Sequence, residues 1–124
     1  LLCLRLALPL PLLPQAEVFV CQDETGVTRG FAGLDGGHIE GLFVQGAARS
    51  RGLGKQLLDR VKAGRSRLTL DVYQKNGGAI AFYRREGFRV QSAGTDGNTG
   101  EPEYLMLWER DGQEEGAYAE NGFF

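Results

Sequence analysis

A chain of 124 residues with 42% hydrophobic and 24% charged side chains has the size and composition of one ordinary globular domain around one core. Its formal net charge of −2, with no long block of like charges, leaves no basic footprint for nucleic acid. Cys3 and Cys21 make neither a metal-ligand spacing nor a disulfide framework, so a reducing cytoplasm is the expected compartment.

The first fourteen residues are nearly all Leu, Ala and Pro, with Arg5 their one charge. They are too short to span a bilayer, and Pro9, Pro11 and Pro14 exclude a straight helix through their second half. The stretch reads as the end of a helix cut from a longer protein; a trimmed signal-peptide core leading into Gln15-Ala16 is the alternative. Glu17 to Cys21 is rich in β-branched and aromatic residues, and Asp23 to Gly26 supplies turn chemistry before Val27 to Leu34, which predicts a hairpin. After a second turn at Asp35-Gly36-Gly37, His38 to Val44 predicts a third strand, antiparallel to the second.

From Gly52 the period changes. Leu53, Leu57, Leu58 and Val61 recur at helical spacing, and Gly64 stands where a left-handed cap would end the helix. Leu68, Leu70 and Val72 alternate as a half-buried strand, then Asn76 is placed as the N-cap of a second helix that stops at Gly87. Phe88 to Ser92 and Tyr104 to Trp108 predict two strands joined by a polar loop. The order β-β-β-α-β-α-β-β predicts an α/β fold, a mixed and mostly antiparallel sheet with flanking helices. It places a single domain over residues 1–108 and leaves 109–124 as a polar, disordered tail.

The segment Arg49-Ser50-Arg51-Gly52-Leu53-Gly54-Lys55 joins a strand to an amphipathic helix. Open N–H groups at a helix start, beside glycines that admit a bulky ligand, bind anions. A Walker loop would need Gly at Arg49 and Ser or Thr at Gln56; a dinucleotide fingerprint would need Gly at Leu57 and a preceding parallel βαβ unit. Neither condition is met.

Arg49-x-x-Gly52-x-Gly54 resembles the coenzyme A loop of the GNAT superfamily of N-acetyltransferases. Asn76-x-x-Ala79-x-x-Phe82-Tyr83-x-x-x-Gly87-Phe88 is similar to that family's second signature, in the right order and at the right distance. The resemblance covers residues 16 to 108 and extends to small bacterial members. It implies a transferase that moves an acetyl group from acetyl-CoA to a primary amine by direct attack in a ternary complex, without a metal. The acceptor is then a small amine, a peptide N-terminus or a protein lysine, with neither nucleic acid nor membrane as partner, and a homodimer is an assembly the family allows. Most of the family's N-terminal part, a first strand with one or two helices, has no counterpart here. That leaves the coenzyme site intact and puts the acceptor site in question, so a non-catalytic acyl-CoA-binding or protein-interaction module is the second reading.

Carried over position by position, N–H groups from Arg51 through Gly52, Leu53 and Gly54 to Lys55 would hold the pyrophosphate, with charge from Arg49 and Arg51. Main-chain groups of Leu42, Phe43 and Val44 would pair with the pantetheine arm like an added strand. Tyr83 is similar to the tyrosine that serves the departing thiolate, although packing beside Ala79 and Phe82 explains it too. Asn76 would touch the pantetheine, and N-capping accounts for it equally well. Glu40 stands where several relatives keep a base acting through water, while His38 falls beside a glycine turn.

Overall fold

Nine elements follow one another among the described residues, which are 2–6, 15–46 and 52–110 of a computed structural model. They are β1 (Leu2–Leu6), β2 (Ala16–Gln22), β3 (Thr28–Asp35), β4 (His38–Val44), α1 (Leu53–Lys62), β5 (Arg67–Tyr73), α2 (Gly77–Arg85), β6 (Arg89–Thr95) and β7 (Pro102–Glu109). These elements form two compact units, Leu1–Ala63 and Gly64–Phe124. Every ladder inside either unit is antiparallel, and the fold is the mixed, mostly antiparallel α/β class that the element order predicts. Among the described residues no helix is long and apolar enough to cross a membrane.

The first unit is built on the two-residue period of its strands. Gly30, Ala32 and Leu34 of β3 point to one face, and their partners Cys21 and Phe19 of β2 point the same way. Onto that face α1 lays Leu53, Leu57, Leu58 and Val61, all fully buried, against β2 and β3. Burying one such leucine contributes about 1.5–3 kcal/mol, so this stripe is the main stabiliser of the helix. The helix ends as the sequence predicts, with Gly64 at φ 77° just beyond the Ala63 cap.

Two expectations for the N-terminal stretch are corrected. Leu2–Leu6 is a strand rather than the end of a helix, paired with β2 in the register Leu4↔Val20. A short apolar run carries no decisive period of its own, and the neighbouring strand settles its conformation. Residues 7–14, with the three prolines, lie outside the described residues. Cys3 and Cys21 are not separate thiols: the pairing sets them directly opposite each other and they form a disulfide. The premise for a reducing compartment therefore does not hold.

In the second unit β7 pairs with both β5 and β6. Leu68, Leu70 and Val72 alternate inward on β5, opposite Trp108, Met106 and Tyr104 of β7. Tyr83 and Phe88 join this core edge to face, with ring centroids 5.4 Å apart. The β6–β7 connection is ordered by Asp96, whose carboxylate accepts the N–H groups of Asn98 and Thr99 and, at 3.0 Å, the Tyr73 hydroxyl of β5. Those hydrogen bonds, led by the one from Asn98, hold the Asp96 carboxyl below its usual range.

Candidate active site

The first unit supplies a strand edge, a bulge and a helix start. The β3–β4 register steps from Gly33↔Gly41 to Leu34↔Ile39, which leaves Glu40 as the extra residue of a β-bulge. A bulge redirects the side chain it carries, and the exposed Glu40 carboxylate stands there toward water. Toward the other end of the hairpin the Gln45 N–H donates to the Arg29 carbonyl at 2.8 Å. By alternation Phe43 also turns its main chain to β3, whereas Leu42 and Val44 turn theirs away.

Beyond β4, Gly52 precedes α1 at φ 76°, a left-handed conformation that costs any side chain but leaves glycine unstrained. Gln56 N–H to Gly52 C=O, 3.1 Å, is the first bond of the helix, so N–H groups of the first turn, from Leu53 on, precede any intrahelical acceptor. No acidic side chain lies in that turn. Among the described residues a Cβ on Gly52 would meet nothing within 4 Å. The end of the helix thus offers donors and the positive end of the dipole, with room for a bulky anion. Arg49 and Arg51 lie outside the described residues, and Lys55 is 3.5 Å from Asp59 one turn on.

Sequence reasoning missed the cleft at the same end of the hairpin, a space of ≈ 390 Å³ lined by Thr28 to Phe31 of β3 and by Phe43 to Gln45. Phe31 and Phe43 stack across it with centroids 5.0 Å apart, 45% and 58% exposed, on the face opposite α1. Alternation on β3 was the available signal, because Phe31 falls between the inward-facing Gly30 and Ala32. The cleft's cation is already engaged: Arg29 Nε donates to Asp23 at 2.9 Å and Nη1 to Gln45 at 2.6 Å. The Thr25 hydroxyl first of all, then the Val27 N–H and Arg29, hold the Asp23 carboxyl far below its usual range.

The second unit contributes Asn76 and Tyr83. Asn76 caps α2, its Oδ1 accepting the Ala79 N–H at 3.2 Å. Tyr83 is 9% exposed, between Phe82 and Phe88, and burial pushes its phenol up to about 12. Among the described residues the Tyr83 hydroxyl has no hydrogen-bond partner, which is costly for a buried donor unless a ligand supplies the acceptor. A phenol this hard to ionise is a hydrogen-bond donor throughout the physiological range.

A glycine-led helix beside a bulged strand, within a mostly antiparallel α/β fold, is the architecture of acyl-CoA N-acyltransferases. The chain belongs to the acetyltransferase (GNAT) domain family, which matches residues 14–90. It is 36% identical over 87 residues to the peptidyl-lysine N-acetyltransferase YiaC of Escherichia coli, covering 69% of this chain and 60% of that protein. It is 31% identical over 94 residues to the peptidyl-lysine N-acetyltransferase YjaB of Salmonella typhimurium, covering 76% and 65%. The chain therefore spans less than two thirds of these curated relatives. The solution structure of apo-form YjaB from Escherichia coli superposes with a TM-score of 0.69 at 28% identity, over 77% of this chain and 66% of that one. A GNAT family acetyltransferase from Elizabethkingia anophelis, solved with acetyl-CoA bound, superposes with a TM-score of 0.72 at 17% identity, over 88% and 97%, and shows the shared fold.

Proposed function

We propose that the chain transfers the acetyl group of acetyl-CoA to a primary amine, with the lysine side chain of a protein or peptide as acceptor. The observation that carries this reading is the start of α1: a left-handed glycine, first-turn N–H groups that precede any intrahelical acceptor and no acidic residue, in a segment that resembles the coenzyme A loop of the family. The curated relatives' names supply the acceptor class. The pyrophosphate is assigned to Gly52, Leu53, Gly54 and Lys55 with Arg49 and Arg51, and the pantetheine to Leu42 and Val44, whose main chains turn away from β3.

The amine must be neutral to attack the thioester carbon. A lysine of pKa ~10.4 has about one neutral molecule in a few thousand at pH 7, a deficit of ~4.6 kcal/mol. Glu40 takes that proton through water. The new C–N bond forms as the C–S bond breaks; the second proton of the nitrogen passes to the departing thiolate, which the Tyr83 hydroxyl holds by a hydrogen bond. With its phenol near 12 and a thiol near ~8.5, Tyr83 stabilises the thiolate as a donor more readily than it surrenders its proton.

The test has two stages. Acetyl-CoA and CoA should raise the melting temperature while ATP and NAD raise it much less; at 100 times the dissociation constant the gain is ~2.7 kcal/mol, a shift on the order of 10 °C. Free-thiol release is then followed with lysine peptides, peptides bearing only an N-terminal amine, and polyamines. No coenzyme-dependent shift in a folded sample would refute the assignment. Because the chain covers only 60–65% of its curated relatives, a CoA-binding module without catalysis is the second reading, and it wins if the shift appears and no amine accepts.

A further inference from the structure

The strand order ends at β1, and among the described residues β1 pairs with β2 alone. In an antiparallel pair, successive residues direct their main chains alternately toward the neighbour and away from it. Cys3 and Cys21 have their Cα atoms 4.0 Å apart, the close spacing of a pair without mutual hydrogen bonds. Cys3, and Arg5 two residues on, therefore aim their N–H and C=O groups at the outer edge, while Leu2, Leu4 and Leu6 bond to β2. Two donors and two acceptors line this edge. The strand has no proline or lysine to blunt it, and its one charge is drawn to Glu17 of its own chain at 3.6 Å.

We infer that this edge pairs with β1 of a second copy, in an antiparallel register centred on Leu4. That register sets Cys3 opposite Arg5 of the second copy twice, by symmetry, so all four outward groups meet in four N–H···O bonds. Leu4 then faces Leu4 of the second copy at the close, non-bonded position, and Leu2 faces Leu6. A slip of one residue would match outward groups with inward ones, and a register centred on Arg5 would oppose two like charges. Leu2, Leu4 and Leu6 are 57%, 41% and 47% exposed and share the face of Val20, Phe31 and Phe43, with Leu4, Val20, Phe31 and Phe43 in one row across the four strands. The pairing covers the leucines and is closed by a two-fold axis, so it yields a dimer and not a fibre.

Light scattering on a sizing column, without reductant, tests the assembly at about 100 μM, a hundredfold above a micromolar dissociation constant. The expected mass is twice that of the chain. Leu4→Lys and Leu4→Glu each place like charges face to face and should run as monomers; mixed, they should restore the dimer, because only position 4 opposite position 4 brings the new charges together. Amide exchange on the parent chain needs no variant: dilution should speed exchange at Cys3 and Arg5 and leave Leu4 unchanged. A parent chain that stays monomeric, or exchange at Cys3 and Arg5 independent of concentration, overturns the inference. So does a dimer that survives Leu4→Lys and is lost on Phe43→Lys, since it would be packed through the sheet face.

Discussion

At Tyr83 a buried hydroxyl without a hydrogen-bond partner among the described residues makes the residue's two roles separable. Tyr83→Phe keeps the ring among Phe82 and Phe88 and removes only the orphaned group, so stability at pH 7 should be unchanged or slightly higher. If the hydroxyl serves the thiolate, turnover should fall ~100-fold or more with coenzyme affinity kept, as single-turnover and binding measurements would resolve. The raised phenol adds a second readout. Its folded value of about 12 lies above the ordinary ~10, so the neutral form stabilises the fold fully below pH ~10, and that contribution disappears as pH rises toward 12. Urea melts at pH 9 and 11.5 should show the parent losing about 2 kcal/mol more than Tyr83→Phe. Glu40 has the opposite profile. Glu40→Gln keeps shape and removes basicity, so its rate defect should shrink as pH rises and the amine ionises less; a defect constant across pH would assign Glu40 to binding instead.

The helix starts were legible at the scale of elements because their signals are local. Asn76 and Gly52 were both placed from sequence, and the structure finds one as a side-chain cap and the other as a left-handed backbone turn. Asn76→Ala should cost ~1 kcal/mol of stability in chemical denaturation, and unchanged CoA affinity would reduce the residue to its cap. Gly52→Ala meets no neighbour among the described residues, so its cost is the backbone's, roughly 1–2 kcal/mol. Gly52→Asn should cost less, since asparagine tolerates this conformation. If CoA binding by calorimetry follows the order Gly, Asn, Ala, the turn's conformation is what the ligand reads; equal loss in both variants would make bulk the cause. Long-range pairing was illegible by comparison. The bulge that frees Glu40 exists only in the register between β3 and β4, and Phe43 shows its pairing with Phe31 only once that register is known.

At the scale of the whole molecule, β6 and β7 run beyond the strands expected at Phe88 to Ser92 and Tyr104 to Trp108, and Glu109 belongs to β7 rather than to the tail. The period of the chain predicted the presence and type of each element from β2 to β7, because each carries a strand or helix pattern of its own. The N-terminal strand did not, and the error at Leu2–Leu6 carried the cysteine error with it: Cys3 meets Cys21 only when β1 lies in register on β2. The bond closes a span of 18 residues, for which loop-closure entropy gives about 3 kcal/mol of stabilisation of the first unit. Cys3→Ser is the cleaner probe, since Cys21 is fully buried and a hydroxyl there would add a desolvation cost of its own. Reductant and Cys3→Ser should lower the melting temperature by similar amounts, on the order of 10 °C, and should not add when combined. Thiol titration of the native chain should find no reactive cysteine before reduction and two after it. Two free thiols in native protein with no effect of reductant on melting would return both cysteines to the reduced state that composition alone suggests.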